Sequence, residues 1–383
     1  MDARRGYAVV RDGEQWIIGQ NPVRVITARG PGVFAALDEI DTEGFWVGFV
    51  SYDAGRVIEH VETRIGDDTG LPDVAFMRFD DVRVVDELPP MNGPSAWDAI
   101  GLGPGTSSLT PGEHSLLVAQ IHGLLAAGEC YQVNLTRRLT FDTAPDPYAL
   151  FLALARLNPA PHAAVCAFGD DLPGVAVVSA SPELFLRVDG RSVETRPIKG
   201  TAADATSLRT SEKDRAENVM IVDLARNDLG RVCEYGSVNV PALFAIEAHP
   251  GLAHLVSTVR GRLRPDVGLD ELIRATFPPA SVTGAPKPRV LQAIEDLEPV
   301  RRGVYCGALG WIDNARSRVE LAVAIRTFTI AAGQTHFGVG GGIVADSCAH
   351  GEWIETELKG ARLLHAAGAR AELVESGWAV DTR

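Results

Sequence analysis

The sequence predicts an α+β fold built on two large facing β-sheets flanked by helices. Short apolar runs rich in Val, Ile and Phe recur along the 383 residues, and such runs are typical of strands. Helical patterns are fewer and do not alternate regularly with the strands, which argues against a barrel or a simple doubly wound sheet. With 46% hydrophobic and 22% charged residues, the chain has an ordinary globular composition and can bury a large core.

The first part of the chain contains strands separated by turns, at YAVV, QWII, VRVITA, FWVGFVSY and VAFMRFDDVRVVD. Residues 88–112 follow, with five Gly and five Pro, a density that cannot sustain a helix or a central strand. We therefore predict an N-terminal strand-rich lobe over 1–112 that ends in this connection, a larger domain over 113–366 and a tail over 367–383.

From residue 113 onward, longer helices are interspersed among apolar strands. We expect a helix that ends at Gly128, and a second that begins at Ser211, has Asp214 three residues later as a capping partner, and ends at Gly230. The remaining helices are predicted at LDELIRATF, PRVLQAIEDLE and about 350–366. Strands are predicted at QVNLTRRLTF, AAVCAFG, VAVVSASPELFLRV, VYCGALGWID, VELAVAIRTFTI and THFGVG.

Charge and processing signals narrow the class of protein. The 36 basic and 50 acidic residues give a net charge of -14, which disfavours nucleic acid and anionic membranes as partners. We see no secretory signal and no apolar stretch long enough to cross a bilayer. The five cysteines are widely spaced and form no CxxC pair, which is typical of reduced thiols, so we expect a cytoplasmic protein.

Two predicted helices each carry acidic residues three positions apart, Asp214 with Glu217 and Glu352 with Glu355. Residues at this spacing share one helix face, and Lys359 lies on the same stripe as the second pair. If the four carboxylates converge, a cation must lie between them, and Mg²⁺ suits oxygen ligands of this kind. The alternative is that each pair forms part of a solvated helix face.

Two residues near strand ends are candidates for acid–base or covalent chemistry. Lys199 in TRPIKGT lies between Pro197 and Gly200, at a predicted turn, and could act as a nucleophile if its pKa were lowered. Glu183 in SPE lies at another turn and could act as a general acid if desolvated. Either residue could instead be an ordinary exposed turn residue.

The run GVGGGIVADS contains Gly340, Gly341 and Gly342 just before the last predicted helix. Successive glycines let backbone N–H groups approach an anion closely, although a plain flexible turn is the alternative. The run is not a dinucleotide fingerprint, since Ile343 takes the place of the last glycine, and the sequence has no GxxxxGK[ST] loop.

Together these segments resemble the chorismate-utilising enzymes, the family of anthranilate, aminodeoxychorismate, isochorismate and salicylate synthases. The resemblance covers most of the chain and is best from about 113 to 366. The segments that carry it occur in order along the sequence: YQVNLT, SPELFLR, PIKGT, DRAENVMIVDLARNDLGRV, HLVSTVRG, TGAPKPR, YCGALGW, IRTFT, GGGIVADS and EWIETELK.

Two positions distinguish the branches of this family. PIKGT, with Lys199, resembles the aminodeoxychorismate branch, whereas anthranilate synthases have PIAGT there. Gln132 takes the place of the lysine that activates water in isochorismate and salicylate synthases. One departure is PPASVTGAPK, where Pro279 and Ala280 replace the two small residues that are usual in the family.

The resemblance implies a role for each candidate residue in the Mg²⁺-dependent amination of chorismate at C4. It implies that Lys199 is the covalent nucleophile and Glu183 the general acid. Glu217 and Glu355 would hold Mg²⁺, and Asp214 and Glu352 would act through bound waters. The implied substrate-binding residues are Gly200, Thr201, His254, Ser281, Tyr305, Arg326, Gly340, Gly341, Gly342 and Lys359.

The resemblance also implies partners. Ammonia would come from a glutamine amidotransferase subunit, since no cysteine of this chain is in the setting of such a nucleophile. Two alternatives remain open on the sequence alone: an anthranilate synthase component, and a catalytically silent subunit that binds chorismate.

Overall fold

A computed structural model describes residues 1–40, 43–91, 100–202, 206, 208, 211–249 and 252–369. The first eleven strands are β1 (Tyr7–Asp12), β2 (Gln15–Gln20), β3 (Arg24–Ala28), β4 (Phe45–Val50), β5 (Val74–Phe79), β6 (Val82–Val85), β7 (Gly105–Ser107), β8 (Gln132–Phe141), β9 (His162–Ala167), β10 (Ala176–Ser181) and β11 (Leu184–Asp189). The later strands are β12 (Ser192–Arg196), β13 (Ile198–Ala202), β14 (Asn239–His249), β15 (Leu252–Arg262), β16 (Gly284–Ala285), β17 (Ala308–Asp313), β18 (Arg318–Val323), β19 (Thr327–Ala331) and β20 (Gln334–Ile343).

The described helices fall mainly in the second part of the chain. They are α1 (Gly32–Ile40), α2 (Gly55–Ile58), α3 (Pro111–Ala126), α4 (Pro147–Leu157), α5 (Glu212–Gly230), α6 (Leu269–Thr276), α7 (Lys287–Leu297) and α8 (Ala349–Ala366). None of them is long and apolar enough to cross a membrane.

The strands form two antiparallel sheets that pack face to face. Sheet one has the order β16-β8-β20-β19-β10-β9-β1-β2-β6, with β7 on β8, and sheet two has the order β13-β15-β12-β11-β18-β17-β4-β5-β3, with β14 on β15. One buried cluster joins Val10 and Cys166 of sheet one to Phe49 and Leu309 of sheet two. The predicted α+β class with two large facing sheets is therefore confirmed.

The helix boundaries follow from local capping signals. Ser211 accepts a hydrogen bond from the Asp214 backbone N–H, as predicted, and α5 runs to Gly230. The predicted helix after residue 112 begins two residues earlier, because Thr110 and Glu113 form a reciprocal capping box with Pro111 in the first turn. The segment predicted as one connection therefore contains β7 and the start of α3.

The strands of the first 87 residues join both sheets. In sheet one β1 pairs with β9, and in sheet two β4 pairs with β17. The first part of the chain thus extends the sheets of the second part and shares their core. The division into 1–112, 113–366 and 367–383 stays a prediction, and residues 92–99 and 370–383 lie outside the described part of the chain.

The chain passes between the sheets twice near two of the predicted site residues. It leaves sheet one after β10 and enters sheet two at β11, with Glu183 in the connection. It returns from β18 to β19 with Arg326 in the connection, at a φ of 52°. The sequence predicted a single strand over VELAVAIRTFTI; the structure has two, because β18 ends at Val323 and the left-handed backbone at Arg326 turns the chain into β19.

Candidate active site

A cavity of about 470 Å³ opens where the chain passes between the sheets. Its wall includes the acidic and basic residues singled out in the sequence and the glycines near the end of β20. It is lined by thirteen of the predicted site residues: Glu183, Lys199, Gly200, Asp214, Glu217, His254, Ser281, Tyr305, Arg326, Gly340, Gly342, Glu355 and Lys359.

Lys199 and Glu183 meet at Ser281. The Lys199 ammonium donates to the Ser281 carbonyl oxygen at 3.2 Å, while the Ser281 side chain hydrogen-bonds to Glu183. Burial raises the pKa of Glu183 to about 7, against the opposing effects of Ser281 and Lys199. Burial lowers the pKa of Lys199, although the charge of Glu217 opposes that shift. Each group is thus shifted toward its neutral form.

The sequence indicated that Lys199 lies at a turn, but in the structure it lies within strand β13. Pro197 interrupts the edge of sheet two, and β13 resumes the pairing with β15. Gly200 then adopts a φ of 82°, and a Cβ there would lie 2.9 Å from Cγ of Asp214. Glycine is required on both counts, because it tolerates the left-handed backbone and leaves room for the carboxylate.

The two predicted carboxylate pairs do converge, and Lys213 lies between them. Its ammonium nitrogen is 4.0 Å from Glu217 of α5 and 3.8 Å from Glu352 of α8. Burial raises the pKa of Glu217 while Lys199 and Lys213 oppose the shift. Glu352 is buried and accepts a hydrogen bond from Ser347 at 2.6 Å.

Glu355 of the second pair forms an ion pair with Lys359 on the same helix. Its ammonium is 2.6 Å from Glu355 and 2.9 Å from the Gly340 carbonyl oxygen. Burial alone would raise the pKa of Glu355, but the charge and hydrogen bond of Lys359, together with the charges of Lys213 and Lys199, outweigh it and the pKa is lowered. A Cβ at Gly341 would lie 3.1 Å from Glu352, so this glycine lets the carboxylates approach the strand.

These carboxylates match the donor chemistry of a hard divalent cation. Mg²⁺ is held by one or two carboxylates, with waters and an anionic ligand completing the shell. Glu217, Glu352 and Glu355 supply such oxygens from two helices, with lysine ammonium groups as their counter-ions. Among the described residues no three His, Cys, Asp or Glu side chains already stand at metal-binding spacing.

The chain has only four lysines, and three of them line this cavity. Lys199, Lys213 and Lys359 concentrate positive charge in a protein whose net charge is -14. The fourth, Lys287, is buried away from the cavity and pairs with Asp228 at 2.7 Å.

Strand β20 of sheet one carries its glycines beside the neighbouring strand β8 and along the cavity. Gly340 faces Thr136 of β8, and a Cβ at Gly340 would lie 2.6 Å from the Leu135 carbonyl oxygen. A Cβ at Gly342 would lie 1.7 Å from Nε2 of the buried Gln132. The run is therefore strand rather than flexible turn, and the glycines are required by close packing.

Tyr305 and Arg326 lie on the wall between the sheets. The Tyr305 ring packs against Gly338, where a Cβ would lie 2.2 Å from it. Burial lowers the pKa of Arg326, and the nearby charge of Arg362 acts in the same direction.

Two predicted site residues with described side chains are not part of the cavity wall. Gly341 and Glu352 stand just behind it, in contact with Glu355 and Lys213 respectively. For Thr201, the backbone lies in β13 opposite His254, and its side chain lies outside the described part of the structure.

Sequence reasoning missed four polar residues of this wall, Asn134, Asn158, Lys213 and Arg362. Asn134 belongs to β8, while Lys213 and Arg362 are on helices. By their spacing the two helical residues look like ordinary surface charges. The sequence gives no local signal for any of the four, because the wall forms only when distant elements pack.

A family model described as chorismate binding enzyme matches residues 105–365. The chain belongs to this family, and the assignment made from the sequence motifs is confirmed. Aminodeoxychorismate synthase component 1 from Klebsiella aerogenes is 40% identical over 348 residues, which cover 83% of this chain and 76% of the relative. Anthranilate synthase component 1 from Streptomyces coelicolor is 36% identical over 377 residues, which cover 85% of this chain and 73% of the relative.

Among solved structures, anthranilate synthase component I from Streptococcus pneumoniae TIGR4 has a similar fold, with a TM-score of 0.79 and 27% identity. The match covers 91% of this chain and 92% of the other. The particular relatives thus include both of the branches that the sequence motifs left open.

Proposed function

We propose that this protein aminates chorismate at C4 to form 4-amino-4-deoxychorismate. The observation that carries the proposal is the pairing of Lys199 with Glu183 across Ser281, on one cavity wall. A buried acid with a pKa of about 7 holds its proton for a substantial fraction of the time at neutral pH. A lysine of lowered pKa more readily presents a free amine.

In the first step, the Lys199 amine adds to ring C2 of chorismate. The ring double bonds shift and the 4-hydroxyl leaves as water with the proton that Glu183 supplies. In the second step, ammonia attacks C4, the double bonds shift back, and the bond to Lys199 breaks. The ammonium group formed at C4 then returns a proton to the Glu183 carboxylate. The net reaction exchanges the hydroxyl group for an amino group and releases water, and it divides one difficult substitution into two easier ones.

The other residues of the wall suit the binding of a dianion. We assign Tyr305 and Arg326 to the carboxylate of the enolpyruvyl group, since a guanidinium binds carboxylates in a paired geometry. His254 and Ser281 would contact the ring or its hydroxyl. The backbone of Gly200, Thr201, Gly340, Gly341 and Gly342 would offer donors to the carboxylates, with Lys359 beside them.

We propose Mg²⁺ as the cofactor, held by Glu217 and Glu355, with Asp214 and Glu352 acting through bound waters. The ion would neutralise the ring carboxylate of the substrate. The oxygen donors on α5 and α8 support this, and so do the lysines that now balance their charge.

The test is product identification. The purified chain is incubated with chorismate, Mg²⁺ and an ammonium salt, and the products are separated and identified by mass spectrometry. We expect aminodeoxychorismate. Anthranilate in its place would contradict the proposal, and binding of chorismate without any turnover would indicate a silent subunit.

Anthranilate synthase is the second candidate. It is favoured by the similarity to the Streptomyces coelicolor relative of that name. Lys199 in PIKGT speaks against it, because anthranilate synthases have PIAGT at this position. An anthranilate synthase would aminate chorismate at C2 in the same experiment, with loss of the enolpyruvyl group. The two products differ in mass, so one chromatogram decides between them.

We also propose a glutamine amidotransferase subunit as the partner that supplies ammonia. The support is that the Klebsiella aerogenes relative is a component 1, which implies a second component. Ammonia is mostly protonated at neutral pH, so a dedicated supply of the free base would raise the rate.

A further inference from the structure

One end of the cavity contains a buried amide with an unused donor. Asn158 ends α4, and its backbone N–H donates to the Leu154 carbonyl oxygen at 2.7 Å. Its side chain lines the cavity and the residue is 8% exposed, yet Nδ2 has no hydrogen-bond partner in the part of the chain that the structure describes. Leaving a buried donor unpaired costs about 1–3 kcal/mol, so such a donor on a cavity wall indicates a ligand.

Two guanidinium groups lie at the same end. Arg362 of α8 donates to the Leu157 carbonyl oxygen at 3.5 Å, which places it beside Asn158. Its charge reaches Arg326, since burial and Arg362 together lower the pKa of Arg326. Within the described residues neither guanidinium forms an ion pair, although the charge of Glu183 acts on Arg326.

The cavity wall also has apolar side chains. It includes Ile325, Phe337 and Leu363. Two like charges and an unpaired buried donor at one end of a cavity favour an anion that accepts hydrogen bonds from all three. A carboxylate has two oxygens and accepts hydrogen bonds from guanidinium and amide groups together.

We infer that Asn158 and Arg362, with Arg326, bind the enolpyruvyl carboxylate of the substrate. The inference rests on the proposed function, because it assigns one end of the same dianion. Asn158 donates from the buried side, and Arg362 contributes its charge from the exposed rim. Both residues then act in recognition of the second carboxylate, and neither takes part in bond making.

Binding of two probes by the whole chain tests this assignment. One probe is chorismate, and the other is the ring diol left when the enolpyruvyl group is removed, which has only the ring carboxylate. Dissociation constants are measured by calorimetry without ammonium for the wild type, Asn158→Asp and Arg362→Gln. Loss of a charged hydrogen bond should weaken chorismate binding about tenfold in each variant, and diol binding by no more than about twofold.

A matched control separates recognition from helix capping. Arg264 also donates to a carbonyl oxygen at a helix end, Arg231 after α5, at 2.7 Å, but it does not line the cavity. Arg264→Gln should leave both dissociation constants unchanged. Arg362→Lys keeps the charge and should recover part of the affinity, and it tests the assignment even if Asn158→Asp folds poorly.

The outcomes are distinct. Variants that bind chorismate as tightly as the wild type overturn the assignment, and so do variants that lose both probes equally. A wild type that neither binds nor converts chorismate contradicts the proposed function itself.

Discussion

Burial shifts the pKa values of Lys199 and Glu183 in opposite directions. Burial disfavours the charged form of each, so it lowers the pKa of the amine and raises that of the carboxyl. Ser281 holds the pair together through its carbonyl oxygen and its hydroxyl. The departure noted in the sequence, Pro279 and Ala280, leads directly into the turn Ala280–Val282 that positions Ser281.

Replacing Lys199 tests its role as a nucleophile. We expect Lys199→Ala to lower kcat for aminodeoxychorismate by at least about 1000-fold, as removal of a covalent nucleophile does elsewhere. Lys199→Arg keeps the positive charge but should be equally inactive. Both are measured by product chromatography at saturating chorismate and ammonium. An active Arg variant would indicate that only the charge matters.

Replacing Glu183 tests its raised pKa through stability as well as rate. The protonated carboxyl is the acid, so kcat at constant free ammonia should fall as the pH rises through about 7. Because the folded pKa exceeds the usual value of 4.5, the folded state binds more protons, and the stabilising contribution of Glu183 falls between pH 4.5 and about 7.

Glu183→Gln should remove that pH dependence. Its unfolding free energy, relative to the wild type, should rise by up to about 3 kcal/mol between pH 5 and pH 8. Its rate should fall about 100-fold or more at neutral pH. If the unfolding free energies of Glu183→Gln and the wild type differed by the same amount at pH 5 and at pH 8, Glu183 would not titrate near 7.

Helices α5 and α8 bring together acids from the middle and from the C-terminal part of the chain at one side of the cavity. The spacing of each pair was readable in the sequence, but their meeting depends on packing. Lys213 marks the junction, at 4.0 Å from Glu217 and 3.8 Å from Glu352. Its ammonium therefore reduces repulsion that a divalent cation would otherwise relieve.

Lys213→Gln should make the protein more dependent on Mg²⁺. Without metal we expect a lower melting temperature than for the wild type, and with Mg²⁺ a larger rise. Scanning calorimetry measures both without turnover. Arg226→Gln on the same helix, which removes an exposed pair with Asp223, is the control and should behave as the wild type. Equal shifts in Lys213→Gln and the wild type would contradict this role.

Local patterns predicted much of the secondary structure but could not predict the pairing of strands. Strand β8 occupies the predicted residues 132–141, and Ser211 caps α5 as expected. Pairings such as Val9 with Val165 join distant segments, and no local signal encodes them. For the same reason Asn158 and Arg362 were not recognisable as members of one wall.

For the molecule as a whole, the net charge is negative, whereas basic side chains are concentrated around the cavity. The net charge is -14, yet three of the four lysines line the cavity with Arg326 and Arg362. The acids that α5 and α8 contribute belong to pairs that match a divalent cation. An acidic body thus discourages binding of nucleic acid while one local site suits a small dianion.

The protonation state of the cysteine thiols bears on whether this chain can release ammonia from glutamine by itself. Release of ammonia from glutamine by a thiol requires a thiolate, but burial raises the pKa of Cys233 to about 11 and of Cys306 to about 12, and also raises the pKa of Cys130 and Cys166. Cys348 is exposed. We therefore expect the isolated chain to make aminodeoxychorismate from ammonium salt. With glutamine we expect less than about 1% of that rate, because the chain has no activated thiolate among these buried cysteines to attack the amide.

Adding a glutamine amidotransferase subunit should restore the use of glutamine, and the rate should saturate with increasing subunit. The measurement is product formed per minute with each nitrogen source at matched pH. If the isolated chain used glutamine as well as ammonium, the proposed partnership would be wrong. Cys348→Ser would then show whether the exposed thiol is responsible, because loss of glutamine use alone would identify it as the nucleophile.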